Sequence, residues 1–414
     1  MREDGRLGRP FWRLWGAFLT SNLADGVSFI VLPWLATTVT DSALWVAVTA
    51  AASRLPWLVA IPAGVLIDRW PRLKTMAAAS VVRVVLWTSF AALALTGGLT
   101  LPTLLIGSLL LGTVEVLYDT AALSALPQLV PKTALVRANG HLRTAEITAQ
   151  EFLGRPLGGL LLGLHAALAL AVNAVGTAFS ALLLARLGGR RAEARPEAAG
   201  PRPGWRGVGD GVRAIWAHPL LRRTTVATIC FNAAYAAILA TQVLFAQEVL
   251  GLDAMAFGLL MTATAVGGVA GGQLSGLAAR RLPAGWMPMV SLGVVGLSHA
   301  AVAAVPRIGV IVPALMLSSA AVLMYSVSVA SLRQRVTPDR LLGRVNAAMG
   351  SAAWGVAAIG MAAGGALVDA AAAWTSRTAA LTAMYALSAV TVALVLVTLG
   401  RRITRLAAEV EGRD

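Results

Sequence analysis

The stretch Gly64-Val-Leu-Ile-Asp68-Arg69-Trp-Pro71-Arg72-Leu-Lys74 places four charged side chains between two apolar runs, residues 43–67 and 75–96. At about 20 apolar residues per crossing, each run is long enough to span a bilayer. A charged hinge this short between two spans is a tight turn at the membrane surface. The rest of the chain is read outward from it.

The composition fits that reading. Of 414 residues, 57% are hydrophobic and 13% charged, with a mean hydropathy of +0.75. A soluble domain carries roughly a quarter charged residues, so this chain crosses a membrane many times. The net charge of +15 could point to nucleic acid, but its placement argues otherwise. Lys and Arg concentrate in the N-terminus, in loops near 69–74, 132–143, 186–223, 280–281 and 333–344, and in the tail from Arg401. Loops of the opposite parity carry only Arg307 and Arg377. That asymmetry places both termini in the cytoplasm and accounts for the basicity without a nucleic-acid partner. The single Cys230 allows no intrachain disulfide and reads as a small core residue. The first apolar run, from Phe11, is too long for a leader's hydrophobic region and lacks a small-x-small cleavage site. Arg far outnumbers Lys amid abundant Ala and Gly, which suggests a GC-rich, bacterial genome.

Counting spans outward gives an all-α membrane protein with twelve transmembrane helices. The first six are expected near 12–38, 43–67, 75–96, 101–125, 143–164 and 168–187. The second six are expected near 223–247, 255–279, 286–305, 308–332, 346–369 and 378–399. The chain therefore divides into a six-helix bundle (1–187), a cytoplasmic linker (188–222), a second six-helix bundle (223–400) and a cytoplasmic tail (401–414). In the linker, Gly188 to Gly204 is rich in Arg, Ala, Pro and Glu. Beyond it, Trp205, Val208, Val212, Ile215 and Trp216 recur at helical spacing, predicting a short amphipathic helix at the membrane surface.

The halves are repeats. Pro131-x3-Leu135-x-Arg137-x-Asn139 recurs as Pro338-x3-Leu342-x-Arg344-x-Asn346, and Gly158-Gly159 matches Gly364-Gly365. The opening stretch recurs in reduced form as Gly276-x3-Arg280-Arg281-x-Pro283. Two parallel six-helix repeats imply two bundles around a central cavity, with access alternating as they rock.

With these features the chain resembles the major facilitator superfamily. The superfamily's loop between its second and third helices reads Gly-x3-Asp-Arg-x-Gly-Arg-basic; Gly64, Asp68, Arg69 and Arg72 match it. Pro71 replaces the second Gly, and Lys74 supplies charge one place late. Within the superfamily the chain looks most like the enterobactin-exporter and macrolide-efflux branch. That likeness rests on Leu23-Ala-Asp25-Gly26, Arg54-Leu-Pro56, the Pro131–Asn139 run and Gly207 to Arg222. The resemblance implies a secondary transporter rather than an enzyme, exporting an amphipathic small molecule such as a drug, antibiotic or siderophore. Proton antiport is the implied drive, and import or proton symport of a metabolite is the alternative on the same fold. In the fifth span, Gly154-Arg155-Pro156-Leu157-Gly158-Gly159 has Arg155 where proton-antiporting exporters carry Gly.

Ionisable residues inside spans are costly and mark function by default. The first half holds Asp25, Glu115, Asp119 and Glu151 against Arg54, Arg83 and Arg155. Arginine stays charged in any setting, whereas a carboxylate can be neutralised. Arg83 and Asp119 are expected to pair, as are Glu151 and Arg155, four residues apart. One acid then remains to carry a proton, with Asp25 and Glu115 the candidates. A static network holding the bundle together is the alternative role for all seven. Substrate contacts are expected from Asn22, Phe29 and Tyr118 in the first half and from Phe231, Asn232, Tyr235 and Gln242 in the second. Gly64, Asp68, Arg69, Arg72 and Arg344 form an expected cytoplasmic gate in which Asp68 accepts from the N-terminus of the eleventh span or from Arg344. Glycines at four-residue spacing, Gly268, Gly272 and Gly276, Gly154 and Gly158, and Gly360 and Gly364, are expected to pack helices closely. No Gly-x4-Gly-Lys-Ser/Thr phosphate loop occurs, and the four His are scattered without metal-ligand spacing. The expected protein is a monomer in the cell membrane whose partners are the lipid bilayer, a small-molecule substrate and protons. No metal, cofactor or nucleic acid is expected.

Overall fold

A backbone inside lipid must satisfy its own N–H and C=O groups, and an apolar chain does so most simply as helix. The computed structural model describes residues 7–59, 70–187, 205–283 and 285–411, and every regular element among them is helical. The first half comprises α1 (Arg9–Val39), α2 (Ala43–Arg54), α3 (Arg72–Thr96), α4 (Leu101–Leu129), α5 (Leu135–Glu146), α6 (Arg155–Leu164) and α7 (Ala166–Ala185). The connecting segment gives α8 (Trp205–Ala217). The second half gives α9 (Pro219–Leu244), α10 (Ala254–Arg281), α11 (Trp286–Ala304), α12 (Ile308–Val336), α13 (Asp339–Ala372), α14 (Arg377–Val395) and α15 (Arg401–Glu411).

Among the described residues, 10 helices are long and apolar enough to cross a membrane. A shorter apolar helix, Ala43–Leu58, runs to the edge of the described chain. The remaining apolar stretch, expected as one span over 143–164, is broken by a π-helix at Ile147–Gly154. Pro156, in the first turn of α6, explains the break. Proline cannot donate to the carbonyl one turn back and collides with it, and a widened π turn just before it relieves both problems. Large apolar side chains such as Leu164, Leu297 and Val397 stand exposed on the helix exteriors, as a lipid-facing surface requires.

The helices gather into two compact units that do not follow chain order. One comprises Met1–Val39, Ala52–Arg202 and Asp253–Met261; the other comprises Thr40–Ala51, Pro203–Leu252 and Thr262–Asp414. Within the first, α3 and α1 pack on α7, around a core of Phe11, Leu14, Phe18, Met76, Tyr118, Leu126 and Leu184. Within the second, α9 packs on α13 and α11 on α12, around Leu220, Phe231, Leu292, Tyr325, Val392 and Ile403.

The repeated glycine pair explains the exchange of short segments. In the first unit a methyl group on Gly158 would strike Val27 of α1, and one on Gly159 would strike Ala254 and Gly258 of α10. In the second unit the equivalents repeat the arrangement, Gly364 against Ala237 of α9 and Gly365 against Ala43 and Leu44 of α2. One glycine seats the first helix of its own half, and its neighbour seats the start of the second helix from the other half. The expected stripe on α10 shifts by one residue. Gly267 and Gly271 press on the backbone of Met316 and Ala320, while Gly268 and Gly272 come nearest to the side chains of Ser319 and Leu323 and Gly276 meets nothing.

The amphipathic helix expected over 205–216 is α8, and its packing is more specific than membrane contact alone. Ile215 is buried with Val345, Ala348 and Met349 of α13, and Gly211 leaves no room for a side chain against Arg344. Val212 and Trp216, beside Ile215 on the same apolar stripe, remain exposed.

Candidate functional site

In the first unit the ionisable side chains are brought together by close backbone approach. Gly26 of α1 lies against Gln150 of the π-helix, and Gly154 lies against Gly26. Gly112 of α4 lies against the Ser53 carbonyl at the end of α2. One turn beyond Gly112, Glu115 meets Arg54 at 3.6 Å. Arg155 Nη2 is 2.6 Å from Glu151 Oε2, and its guanidinium also lies 4.4 Å from the centre of the Phe29 ring.

Arg83 departs from the expected pairing. Its buried guanidinium donates to Ser21 Oγ, at 2.7 Å, and to the carboxylate of Asp25. Asp119 is not its partner. Ser80, Arg83 and Trp87 form the buried face of α3, whereas Ser21 and Asp25, four apart, share a face of α1.

The charge ledger therefore closes differently from the expectation. Arg54, Arg83 and Arg155 each have a carboxylate of their own: Glu115, Asp25 and Glu151. Asp25 and Glu115, the expected surplus candidates, are both paired. The acid left over is Asp119, one turn beyond Glu115 on α4, which is only partly buried. Among the described residues it makes no hydrogen bond or ion pair.

The expected substrate residues fall into two groups. Asn22 is buried and donates to the Phe18 carbonyl of its own helix at 2.8 Å. Tyr118 is buried, with its hydroxyl 3.2 Å from both the Ala17 carbonyl and Ser180 Oγ. Phe231 and Gln242 are buried as well. Phe29, Asn232 and Tyr235 retain partial exposure, the last two one turn apart on α9.

Two features of the second unit escaped the sequence reading. Asp369 accepts from Ser42 Oγ at 2.6 Å, Ala43 N at 2.9 Å and Leu44 N at 3.0 Å. It thereby caps the N-terminus of α2 from a different helix. Beside it, Arg377 donates to Glu248 at 2.8 and 3.0 Å and also to the Asp41 carbonyl. The other feature is His299, dismissed as scattered but buried between α11, α12 and α14. A lone imidazole in an apolar span was the available signal.

A family profile described as the Major Facilitator Superfamily matches residues 14–361. The chain belongs to the major facilitator superfamily. No curated protein matches its sequence. Solved structures share the major facilitator fold over nearly its whole length. A bacterial homolog of the human lysosomal transporter Spinster, inward-facing and unoccupied, is 16% identical, covers 97% of this chain and 96% of its own, and has a TM-score of 0.72. A bacterial homologue of the iron transporter ferroportin, in its inward-facing state, is 16% identical, with 96% and 98% covered and a TM-score of 0.77. The nucleoside transporter NupG is 10% identical, with 97% and 100% covered and a TM-score of 0.75. At these identities the likeness shows the fold alone. Family and fold make this major facilitator chain a multi-pass membrane transporter rather than an enzyme.

The residues of the superfamily loop are only partly in view. Gly64, Asp68 and Arg69 lie outside the described residues. Pro71 occupies the N-cap of α3, and Arg72 is its first residue. Arg344, expected opposite Asp68, donates to Asp210 Oδ2 of α8 at 2.9 Å. The docking of α8 on α13 brings that carboxylate into reach.

Proposed function

We propose that this protein is a secondary active transporter that exports an amphipathic small molecule by proton antiport, with alternating access. The observation that carries the reading is the unmatched acid. Arg54, Arg83 and Arg155 each pair with a carboxylate, whereas among the described residues Asp119 makes no ion pair. A paired carboxylate is held as the anion by its partner, whereas an unpaired one in a low-dielectric setting gains most from neutralisation. Asp119 is the residue that takes up and releases the proton, and Arg54, Arg83 and Arg155 hold the other acids in ion pairs. Asn232 and Tyr235, a partly exposed amide and aromatic on one face of α9, are the substrate contacts.

The parity of basic loops supports twelve spans with cytoplasmic termini in a bacterial plasma membrane. The stretches around Asp25, Arg54 and Pro131 support a place near the enterobactin-exporter and macrolide-efflux branch. The protein acts as a monomer, with the lipid bilayer, its substrate and protons as partners.

Direction is tested with ethidium, an amphipathic cation, in cells with and without expression of the protein. Lower steady-state ethidium in expressing cells is the expected result, and Asn232→Ala and Tyr235→Ala should each alter it. Higher ethidium in expressing cells would identify an importer and overturn the proposed direction.

A further inference from the structure

We propose that His299 is a positioning residue: it fixes the ring of Tyr235, and through it the ligand-facing side of α9. The inference rests on the reading of Tyr235 as a substrate contact.

His299 is 1% exposed and sits where α9, α11, α12 and α14 converge. Its Nδ1 is 2.9 Å from Ser388 Oγ on α14, and its Nε2 is 3.0 Å from Ser318 Oγ on α12. These serines differ from most hydroxyls in the second unit. Ser291, Ser328, Thr224 and Thr241 all donate to carbonyls of their own helices. Among the described residues, the hydroxyls of Ser318 and Ser388 have the imidazole as their only partner. A hydroxyl can donate or accept, so the pair holds either neutral tautomer of the ring in the same place. A ring bonded at both nitrogens to two different helices cannot turn about its axis.

The faces of that fixed plate are also used. The Tyr235 ring lies nearly parallel to it, 14° between planes and 6.3 Å between centroids. Tyr385 meets it edge-on at 5.8 Å and 81°. Phe245 packs against Tyr385 at 4.8 Å, closing the far side. The Tyr385 hydroxyl is buried without a partner, so its ring is held by packing alone. Phe231, itself buried, supports Tyr235 at 5.5 Å. The ring of Tyr235, which is part-exposed and one turn from Asn232, thus rests against two buried rings, His299 and Phe231. A phenylalanine at 299 is somewhat larger and could stack, but it would lack the two hydrogen bonds that fix the imidazole's rotation. Offset aromatic contacts depend on that rotation.

The chain has only four tyrosines, at 118, 235, 325 and 385, so 3-fluorotyrosine labelling yields one ¹⁹F resonance for each, assigned by Tyr→Phe variants. In His299→Phe the Tyr235 resonance should shift or broaden, while Tyr118, in the other unit, stays unchanged. In proteoliposomes the KM for ethidium should rise about fivefold with little change in kcat, the scale of coupling between residues in contact. In a Tyr235→Ala background His299→Phe should add nothing further. If His299→Phe does not fold, His299→Gln replaces it, keeping a donor and an acceptor but no ring, with the same shift expected at Tyr235. An unmoved Tyr235 resonance, or an undiminished His299 effect in the Tyr235→Ala background, overturns the inference. A Tyr235→Ala variant with unchanged KM would instead refute Tyr235 as a substrate contact, and the resonance would still decide whether His299 pins it.

Discussion

Replacing Asp25 with Asn is expected to destabilise the purified protein by about 3–5 kcal/mol, the cost of stranding a buried charge by removing its partner. Arg83 has a side chain only 3% exposed and cannot shed its charge by losing a proton. Its remaining donor contact, to Ser21 Oγ, is a neutral hydroxyl. The double variant Asp25→Asn with Arg83→Met should recover most of the loss, because removing both charges leaves neither one uncompensated. Thermal unfolding in detergent of the wild type, the two single variants and the double variant measures this as a double-mutant cycle. Equal losses in the single and double variants would show that packing at these positions matters and the pair does not. The Arg344–Asp210 pair gives the contrast. Both side chains are more than 40% exposed, so Asp210→Asn should change stability by less than about 1 kcal/mol.

A second large effect is expected from Asp369→Ala. Its carboxylate satisfies two amides of the first turn of α2 and the Ser42 hydroxyl, all within 3.0 Å. Helix N-termini leave such amides without internal partners, and a negative charge there also meets the favourable end of the helix dipole. Losing three charge-assisted bonds should cost about 2–3 kcal/mol locally. Hydrogen exchange over residues 40–51 should then quicken by about thirty- to a hundred-and-fortyfold. The start of α10 serves as an internal control, because Asp253 of the same strand of chain accepts from Ala256 N at 2.8 Å. Exchange that accelerates equally at 253–261 would point to general loosening rather than to a lost cap.

Much of the helical framework was legible because apolar runs of span length leave few alternatives in lipid. The repeated Gly158-Gly159 and Gly364-Gly365 pairs were legible too, but their meaning was not. That Gly159 and Gly365 seat helices from the opposite half of the chain depends on which way each glycine faces, and sequence spacing alone does not say. The same limit explains the pairing of Arg83. Depth along a span can be counted from its end, but rotation about the axis decides whether Arg83 meets Ser21 and Asp25 or Asp119. The four acids and three arginines could be counted in the sequence, whereas which of them pair could not. His299 was missed because an isolated histidine has no spacing to read, and its two serine partners lie 19 and 89 residues away. Asp369 was missed because a carboxylate at a helix end ordinarily faces water, whereas here the start of another helix covers it.

The claim on which the functional reading turns is that Asp119 couples transport to protons. The direct measurement uses purified protein in proteoliposomes, an imposed pH gradient and ethidium as the transported probe. Wild-type protein should drive ethidium against its concentration gradient, with protons moving the opposite way. Asp119→Asn should lose gradient-driven movement while still letting ethidium equilibrate down its own gradient. Accumulation driven by the pH gradient at wild-type rate in Asp119→Asn would contradict the account.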